Sequence, residues 1–301
     1  MCGIAGFVND MPIDVKCPVL QRMTDMIAHR GPDSEGHYID EHAALGHRRL
    51  SIIDLGGGQQ PIYNEDGSKV ITFNGEIYNY QTLREELIAA GHTFTTKSDT
   101  EVLLHGYEQW GVDLLQRVRG MFTFVIWDKN KQELFGARDH FGIKPFYYAK
   151  MNGTFMYASE IKSLLRHPDF VKELNAEALK PYMTFQYPAI GETFFKGVYK
   201  LPEGHYFTYR DGKMDIHRYY DEDFREGKQK LGELVNSIDQ TVCDSVKAHQ
   251  IADVEVGSFL SSGVDSSYVA AVARPQHTYS IGFGKGTYNE SQQAGELAEL
   301  L

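Results

Sequence analysis

Hydrophobic and polar positions alternate in two distinct rhythms along this chain. Ile4 to Val8 is a short apolar run and predicts a buried strand. Val19, Leu20, Met23, Met26 and Ile27 recur at helical spacing, so a helix is expected over residues 17 to 29. His29-Arg30-Gly31-Pro32-Asp33 ends it, because Gly-Pro breaks regular structure. Strands follow at Ala43 to Arg48 and Leu50 to Asp54. Gly56-Gly57-Gly58 reads as a flexible loop, without the G-x-G-x-x-G spacing of a dinucleotide site. Lys69 to Phe73 predicts a strand running into Asn74-Gly75-Glu76-Ile77-Tyr78-Asn79, with Gly75 expected to turn the backbone sharply. Leu83, Leu87 and Ile88 line one face of a helix over residues 80 to 90, and Gly91 stops it. Ser98-Asp99-Thr100-Glu101 has capping-box spacing and opens a helix to Trp110.

Strands then dominate: Met121 to Trp127, Glu133 to Arg138, Pro145 to Met151 and Thr154 to Ala158. Asn152-Gly153 marks a tight hairpin. Asn175 is expected to cap a helix to Phe185, and His205 to Tyr220 predicts a second hairpin about Asp211-Gly212. Residues 221 to 230 are charged and read as a linker. Beyond them the rhythm changes. Leu231, Leu234, Val235, Ile238, Val242 and Val246 form an apolar helical stripe, Val254 to Leu260 a buried strand, and Ser261 to Ser267 a loop. A helix from Tyr268, a strand from Thr278 to Phe283 and a helix from Asn289 to Leu301 complete a β-α-β order, which implies a parallel sheet. Two parallel strands are few for such a sheet, so the second domain reads as truncated.

Composition narrows the function classes. The chain has 301 residues, 42% of them hydrophobic, enough for a large core and suggestive of two domains. The net charge of -11, with no Lys/Arg run, argues against nucleic acid and anionic membranes as partners. Three cysteines, Cys2, Cys17 and Cys243, show no disulfide or zinc spacing. No apolar stretch is long enough to span a bilayer, and the N-terminus lacks the basic region of a signal peptide, so a cytoplasmic setting is expected.

The chemistry begins at Met1-Cys2-Gly3-Ile4. A residue as small as cysteine after methionine predicts methionine removal. Cys2 would then carry a thiol and a free α-amine, whose pKa near ~8 lets it act as base toward its own thiol. No histidine partner is needed. Asp139 and His140 therefore read as a structural turn before Gly142, not as members of a triad.

Cys2-Gly3-Ile4, His29 to Asp33, Arg49-Leu50-Ser51-Ile52, Asn74 to Asn79, Ser98-Asp99 and Arg138 to Gly142 occur in the order of a class II glutamine amidotransferase domain. Ser261-Ser262-Gly263-Val264-Asp265-Ser266-Ser267 resembles the pyrophosphate loop (PP-loop) that follows it in glutamine-hydrolysing asparagine synthetases. The resemblance implies an N-terminal nucleophile (Ntn) αββα sandwich of two antiparallel sheets over residues 2–210. It places a hairpin end and linker at 211–230, and the start of an α/β PP-loop ATPase domain with a Rossmann-like parallel sheet at 231–301. Cys2 would be the nucleophile, and the Asn74 side chain and Gly75 N–H the oxyanion hole, worth roughly 3–4 kcal/mol per donor. A glutamine α-carboxylate needs a fork of donors. Arg48 and Arg49 point to opposite faces of an extended chain, and the family motif places the clamp at Arg49. Glu76 and Asp99 would hold the α-ammonium.

The resemblance further implies ATP at Leu260, Ser261, Ser262, Gly263, Asp265, Ser266, Ser267 and Ile281, with Asp265 as a Mg2+ ligand and no prosthetic group. Ser262 stands where the family usually has glycine, and its Cβ makes close approach or a positive φ less comfortable. The implied reaction is adenylation of aspartate by ATP, followed by amidation with ammonia from glutamine; the 301-residue chain itself is expected to be a glutaminase alone. The partners are then glutamine, aspartate and ATP, with homodimer formation left open. Other class II amidotransferases lack the PP-loop. A related amide- or lactam-forming synthetase keeps it and stays open, whereas the intact site set argues against a non-catalytic regulatory module.

Overall fold

The computed structural model describes residues 2–187, 189–282 and 289–301. The chain divides into two compact units, 1–222 and 223–301. In the first, two six-stranded antiparallel sheets are built in chain order from β1 (Gly3–Val8), helix α1 (Ile13–Asp25), β2 (Ser34–Ile39), β3 (Ala43–Arg49), β4 (Ile62–Tyr63) and β5 (Lys69–Ile77). Helices α2 (Tyr80–Ala89) and α3 (Asp99–Trp110) follow, then β6 (Gly120–Asp128), β7 (Glu133–Arg138), β8 (Tyr147–Met151) and β9 (Thr154–Ala158). Short helices α4 (Ile161–Leu164) and α5 (Leu179–Phe185) precede β10 (Val198–Lys200), β11 (His205–Arg210) and β12 (Lys213–Arg218). One sheet runs β10-β8-β9-β1-β3-β2, the other β12-β11-β7-β6-β5-β4.

Strand alternation creates three apolar layers. Ile4, Leu45, Val70, Val125, Trp127 and Tyr157 pack between the sheets. Ala5, Phe7, Ala44 and Met156 pack outward on Val19, Leu20 and Met23 of α1. Ile71, Phe73, Phe122, Phe124 and Ile126 face Leu83, Leu87, Leu103 and Leu104 of α2 and α3. The order helix, sheet, sheet, helix is the sandwich expected. Both hairpin turns hold two positive φ angles, at Asn152-Gly153 (50° and 82°) and Asp211-Gly212 (51° and 73°), as a type I′ turn requires.

Several local expectations are corrected. α1 starts at Ile13 and carries Pro18 inside it; Lys16 anchors this early turn by donating to the carbonyls of Asp40 and Glu41 at 3.1 and 2.6 Å. Residues 50–54 form no strand; the Ile53 and Asp54 carbonyls instead curl onto Arg49 and accept from its Nη2. β2, β4 and β10 lie in stretches to which the sequence pattern assigns no element. β5 does not end at Phe73: it continues to Ile77, with Gly75 paired to Phe122. Gly75 is required by crowding, not by a turn, since a Cβ there would lie 2.1 Å from the Met121 carbonyl oxygen.

The capping box at Ser98 is half formed. Ser98 accepts from the Thr100 N–H, while Glu101 instead accepts from Thr95 and Thr96, backbone and hydroxyl. Asn175 stands at the N-cap position of the 3-10 turn Ala176–Ala178 that leads into α5, but its side chain does not cap it; its amide donates to Glu192 and the Thr193 carbonyl. β12 is a full member of its sheet, so the first unit runs past residue 210 to Glu222.

The second unit holds α6 (Leu231–Ala248), β13 (Ser258–Phe259), α7 (Val264–Ala273), β14 (Thr278–Tyr279) and α8 (Ser291–Leu300). β13 and β14 pair in parallel, but each is two residues long. The run 254–260 is not a buried strand, since Val254 and Phe259 are exposed and Leu260 alone of the three is buried. Half of 261–267 belongs to α7 instead of a loop. Phe283, the expected end of the second strand, lies outside the described residues. The core here is Leu260, Ala270 and Ala294, with Leu297 against it, and the α6 stripe at Leu231, Leu234, Val235 and Ile238 is exposed.

Gly75→Ala should lower stability by about 1–3 kcal/mol through overpacking between β5 and β6. Gly191→Ala, where a Cβ meets nothing within 4 Å, should be neutral. Urea unfolding midpoints compare the two, and equal midpoints would refute the crowding argument.

Candidate active site

The site is assembled at the open edge of β5 and the inner face of β3. Strand parity does the placing. Leu45 and His47 of β3 face the inter-sheet layer, and Arg49 continues that face toward the cleft. His47 Nε2 lies 3.0 Å from the Phe73 carbonyl oxygen and ties the two sheets together; complete burial pushes its imidazole down to about 3, so it stays neutral. Arg48 takes the opposite face, donating to the Thr24 carbonyl and pairing with Asp25 at 2.5 Å and Glu35 at 2.6 Å.

Arg49 is 5% exposed. One terminal nitrogen, Nη2, donates to the Ile53 and Asp54 carbonyls at 3.0 and 2.7 Å. The other, Nη1, reaches the Leu55 carbonyl at 3.5 Å. A guanidinium has five N–H groups, so Nε–H and one Nη1 hydrogen are left for a ligand. Gly58 lies so close that a Cβ there would sit 2.6 Å from Nη2.

Cys2 directly precedes β1. Its Sγ accepts from the Leu50 N–H at 3.4 Å and lies 3.5 Å from the Leu50 carbonyl oxygen. The Cys2 carbonyl accepts from Arg30 Nε at 2.9 Å, and Arg30 is held in turn by Glu160 at 3.1 Å. Burial pushes the thiol pKa up, opposed by the Leu50 N–H and by Arg49. Met1 lies outside the described residues.

β4 pairs with β5 at residues 70 and 71 alone, which leaves the edge from Phe73 to Ile77 open. The Phe73 N–H donates to Gln60 Oε1 at 2.6 Å and the Ile77 N–H to Asp99 Oδ2 at 2.9 Å. In an antiparallel ladder alternate residues direct their N–H groups to the same side. The Gly75 N–H therefore points off this edge, between those two. Asn74 lies beside it, 1% exposed, and neither atom of its carboxamide makes a hydrogen bond within the protein. A buried polar group left in that state costs roughly 1–3 kcal/mol.

Cys2, Arg49, Asn74, Gly75, Glu76 and Asp99 all line one cleft. Every residue expected at the glutamine site is thus brought together. Gln60, Gly58, Thr100 and Lys144 line it as well and were missed. Gln60 and Gly58 lie in a segment with no periodic signal. Lys144 lies two residues beyond Gly142, just past the stretch Asp139 to Gly142 read as a turn; burial pushes its amine down, with Glu76 and Asp139 opposing. Asp139 accepts from the backbone N–H groups of Phe122, Phe141, Ile143 and Lys144, so it shapes the turn, and neither it nor His140 lines the cleft. Asp99 is completely buried beside Glu76, and burial pushes its carboxyl up to about 7 against the Ile77 N–H, which lowers it.

Residues 1–220 match the family described as "Glutamine amidotransferase domain". The chain belongs to the glutamine amidotransferase family. Residues 237–301 match the "Asparagine synthase" family, so the amidotransferase domain is followed by the start of an asparagine synthase domain. The chain is 44% identical to asparagine synthetase [glutamine-hydrolyzing] 1 of Bacillus subtilis, over 100% of this chain and 49% of that protein. It is 40% identical to asparagine synthetase [glutamine-hydrolyzing] 2 of the same organism, over 93% of this chain and 40% of that one. Amidase chry2 of Gibberella zeae is 35% identical over 90% of this chain and 42% of that protein. The chain thus spans 40–49% of the length of these three relatives. Among solved structures, the B. subtilis glutamine phosphoribosylpyrophosphate amidotransferase superposes with a TM-score of 0.56 at 18% identity, covering 95% of this chain and 67% of that one. At that identity the likeness is one of fold: two antiparallel sheets in the sandwich of N-terminal nucleophile amidotransferases.

In the second unit a cleft of about 380 Å³ is lined by Leu260, Ser261, Ser266, Tyr279, Ser280, Ile281 and Glu290. Ser262, Gly263, Asp265 and Ser267 do not line it. The Ser262 N–H donates to the Glu290 carboxylate at 3.1 Å and the Gly263 N–H to Ser261 Oγ at 3.2 Å. Ser262 does not take a positive φ, so its Cβ meets no backbone penalty. Asp265 is exposed on the first turn of α7.

Asp99 should titrate near pH 7 by carbon-13 NMR, in a signal absent from Asp99→Asn. Because its folded pKa lies above the unfolded value of 3.8, the folded state binds more protons between those values. This group's contribution to stability therefore falls as pH rises from about 4 to 7. A signal titrating near pH 4 would remove the effect.

Proposed function

We propose that the first unit hydrolyses glutamine to glutamate and ammonia. The observation that carries this reading is the unsatisfied carboxamide of Asn74, lining one cleft with the Cys2 thiol. After removal of Met1, the α-amine of Cys2 takes the thiol proton, directly or through one water, and Sγ attacks the amide carbon of glutamine. The oxyanion is met by the Asn74 Nδ2–H and the Gly75 N–H, donors held in place before reaction. The protonated amine then gives its proton to the departing ammonia. Water hydrolyses the thioester by the same route in reverse, releasing glutamate. The free donors of Arg49 suit a bidentate contact with the α-carboxylate, and Glu76 and Asp99 suit the α-ammonium.

We further infer that the ammonia serves an ATP-dependent amide-forming step in a protein longer than this chain, with aspartate as the acceptor. The similarity to asparagine synthetases supports this. In the second unit Glu290 places an anion on the Ser262 N–H, which supports a loop able to receive phosphate oxygens. Leu260 and Ile281 would flank the adenine. Mg2+, which would neutralise phosphate charge when bound, is commonly held by one or two carboxylates plus phosphate oxygens, and Asp265 fits as one such ligand.

Cys2→Ala should abolish glutamate release, while Cys17→Ala and Cys243→Ala should not; turnover surviving in Cys2→Ala would end the proposal. Mass measurement of the N-terminus should show Met1 removed in active protein. Asn74→Ala should lower kcat by roughly 10²–10³-fold with little change in KM, the signature of a contact made in the transition state. Since Asp99 must be ionised to hold the ammonium and its carboxyl is pushed up to about 7, KM for glutamine should fall as pH rises through 7. At pH 6 it should stand about tenfold above its alkaline limit. A flat KM profile in the wild type, or the same slope in Asp99→Asn, would place the ammonium elsewhere.

A further inference from the structure

We propose that Glu65, His92, His105 and Glu108 form a binding site for a zinc-class divalent ion on the first unit. This cluster is separate from the glutamine cleft, since none of its four residues lines it. It joins three segments: the β4–β5 turn, the stretch after α2, and the second half of α3. Each residue offers one ligand atom, and the four atoms all lie within 4.8 Å of one another. His105 Nδ1 is 3.0 Å from Glu108 Oε2 and 3.5 Å from Glu65 Oε2, and His92 Nδ1 is 3.4 Å from Glu65 Oε1. Ligands about 2.0–2.2 Å from a tetrahedral ion are separated by about 3.4 Å. Those three contacts already have that spacing, and the remaining pairs, all within 4.8 Å, need only small side-chain shifts to reach it.

The outer contacts are those a metal site needs. His105 is 1% exposed, and its far nitrogen, Nε2, faces Glu101 Oε1 at 3.5 Å. Glu101 is fixed by Thr95 and Thr96 through four hydrogen bonds. A carboxylate behind the distal nitrogen orients a ligating imidazole and turns the other nitrogen to the metal. His92 is held in the same way, with Nε2 3.2 Å from Gln109 Oε1 and Nδ1 toward the cluster. Glu108 Oε1 accepts from Asn64 Nδ2 at 2.7 Å and lies 3.5 Å from Lys69 Nζ, which leaves Oε2 facing inward. The Thr93 N–H donates to Glu65 Oε1 at 3.1 Å. Glu65, His92 and Glu108 are thus each steadied by a hydrogen bond from outside the cluster, while His105 Nε2 makes none and only faces the Glu101 carboxylate.

The donor set selects the ion class. Two imidazoles suit zinc and its transition-metal neighbours and are poor ligands for Mg2+ or Ca2+. Two carboxylates balance the charge of one divalent cation. A bound ion would pin the β4–β5 turn and the 92–95 stretch to α3, the helix whose N-terminus carries Asp99.

The test uses the full chain with Cys2→Ala, so that the cleft thiol does not compete, prepared metal-free. Zn2+ titrated by calorimetry should bind at one equivalent and raise Tm, while Mg2+ should not. Co2+ should give the strong visible absorption of a tetrahedral site. His105→Gln removes a buried side chain and can unfold the protein, so Glu65→Gln and His92→Gln are the deciding variants. Each should fold, retain glutaminase activity when Cys2 is restored, and weaken Zn2+ binding at least tenfold. The proposal is overturned if no stoichiometric Zn2+ binds, if Mg2+ raises Tm as much as Zn2+, or if both variants bind Zn2+ as the parent does. The last two results would leave, respectively, a general cation effect and a site elsewhere.

Discussion

The face-to-face contact of two antiparallel sheets governs everything at the cleft. Side chains alternate along a strand, so the choice of which residues fill the inter-sheet layer also decides which residues beyond it reach the site. Leu45 and Val70 lie in that layer. Arg49, four residues on from Leu45, and Asn74, four residues on from Val70, inherit the same facing. A slip of one residue in either strand would exchange Arg49 for Arg48 and turn Asn74 toward the helices. The buried link between His47 and the Phe73 carbonyl holds the two faces in this relation. Its imidazole is kept neutral by burial, so the link does not change charge over the working pH range.

A second constraint acts at right angles to the first. A sheet edge exposes unpaired N–H and C=O groups, which proteins normally cover. Here the short β4 leaves β5 open beyond residue 71, and side chains take over. Gln60 accepts from Phe73 and Asp99 from Ile77. The Gly75 N–H lies between them on the same edge. Asn74, buried and unsatisfied beside it, departs from complete polar pairing. Such departures cost stability and are retained where they serve chemistry.

The second unit shows what the same physics gives with less to bury. Its parallel strands are two residues long, and its core is three residues with Leu297 against them. The apolar stripe of α6 stays exposed. Sequence matching places 237–301 in the asparagine synthase family, and the chain covers about half of the related synthetases. The loop at 261–263 is nevertheless formed, with the Glu290 carboxylate on the Ser262 N–H.

By itself the sequence determined the period of most long elements, both type I′ hairpins, the helix start at Ser98, and six residues of the cleft: Cys2, Arg49, Asn74, Gly75, Glu76 and Asp99. These depend on neighbours within a few positions or on motifs whose residues stand together in the chain. Four features were decided by tertiary structure. Residues 50–54 look like a strand, but the Ile53 and Asp54 carbonyls are drawn onto the Arg49 guanidinium. Gly75 looks like a turn residue, but crowding by Met121 across the sheet demands it. Glu101 looks like a cap, but it holds Thr95 and Thr96 and backs His105. The company of Gln60, Gly58 and Lys144 at the cleft had no local signal at all. Met121 and the partners at the cleft are distant in sequence, while Arg49 and the Thr95–Thr96 pair are near neighbours whose pull on the backbone has no periodic signature. Such partners outweigh local propensities worth about 1 kcal/mol or less per residue.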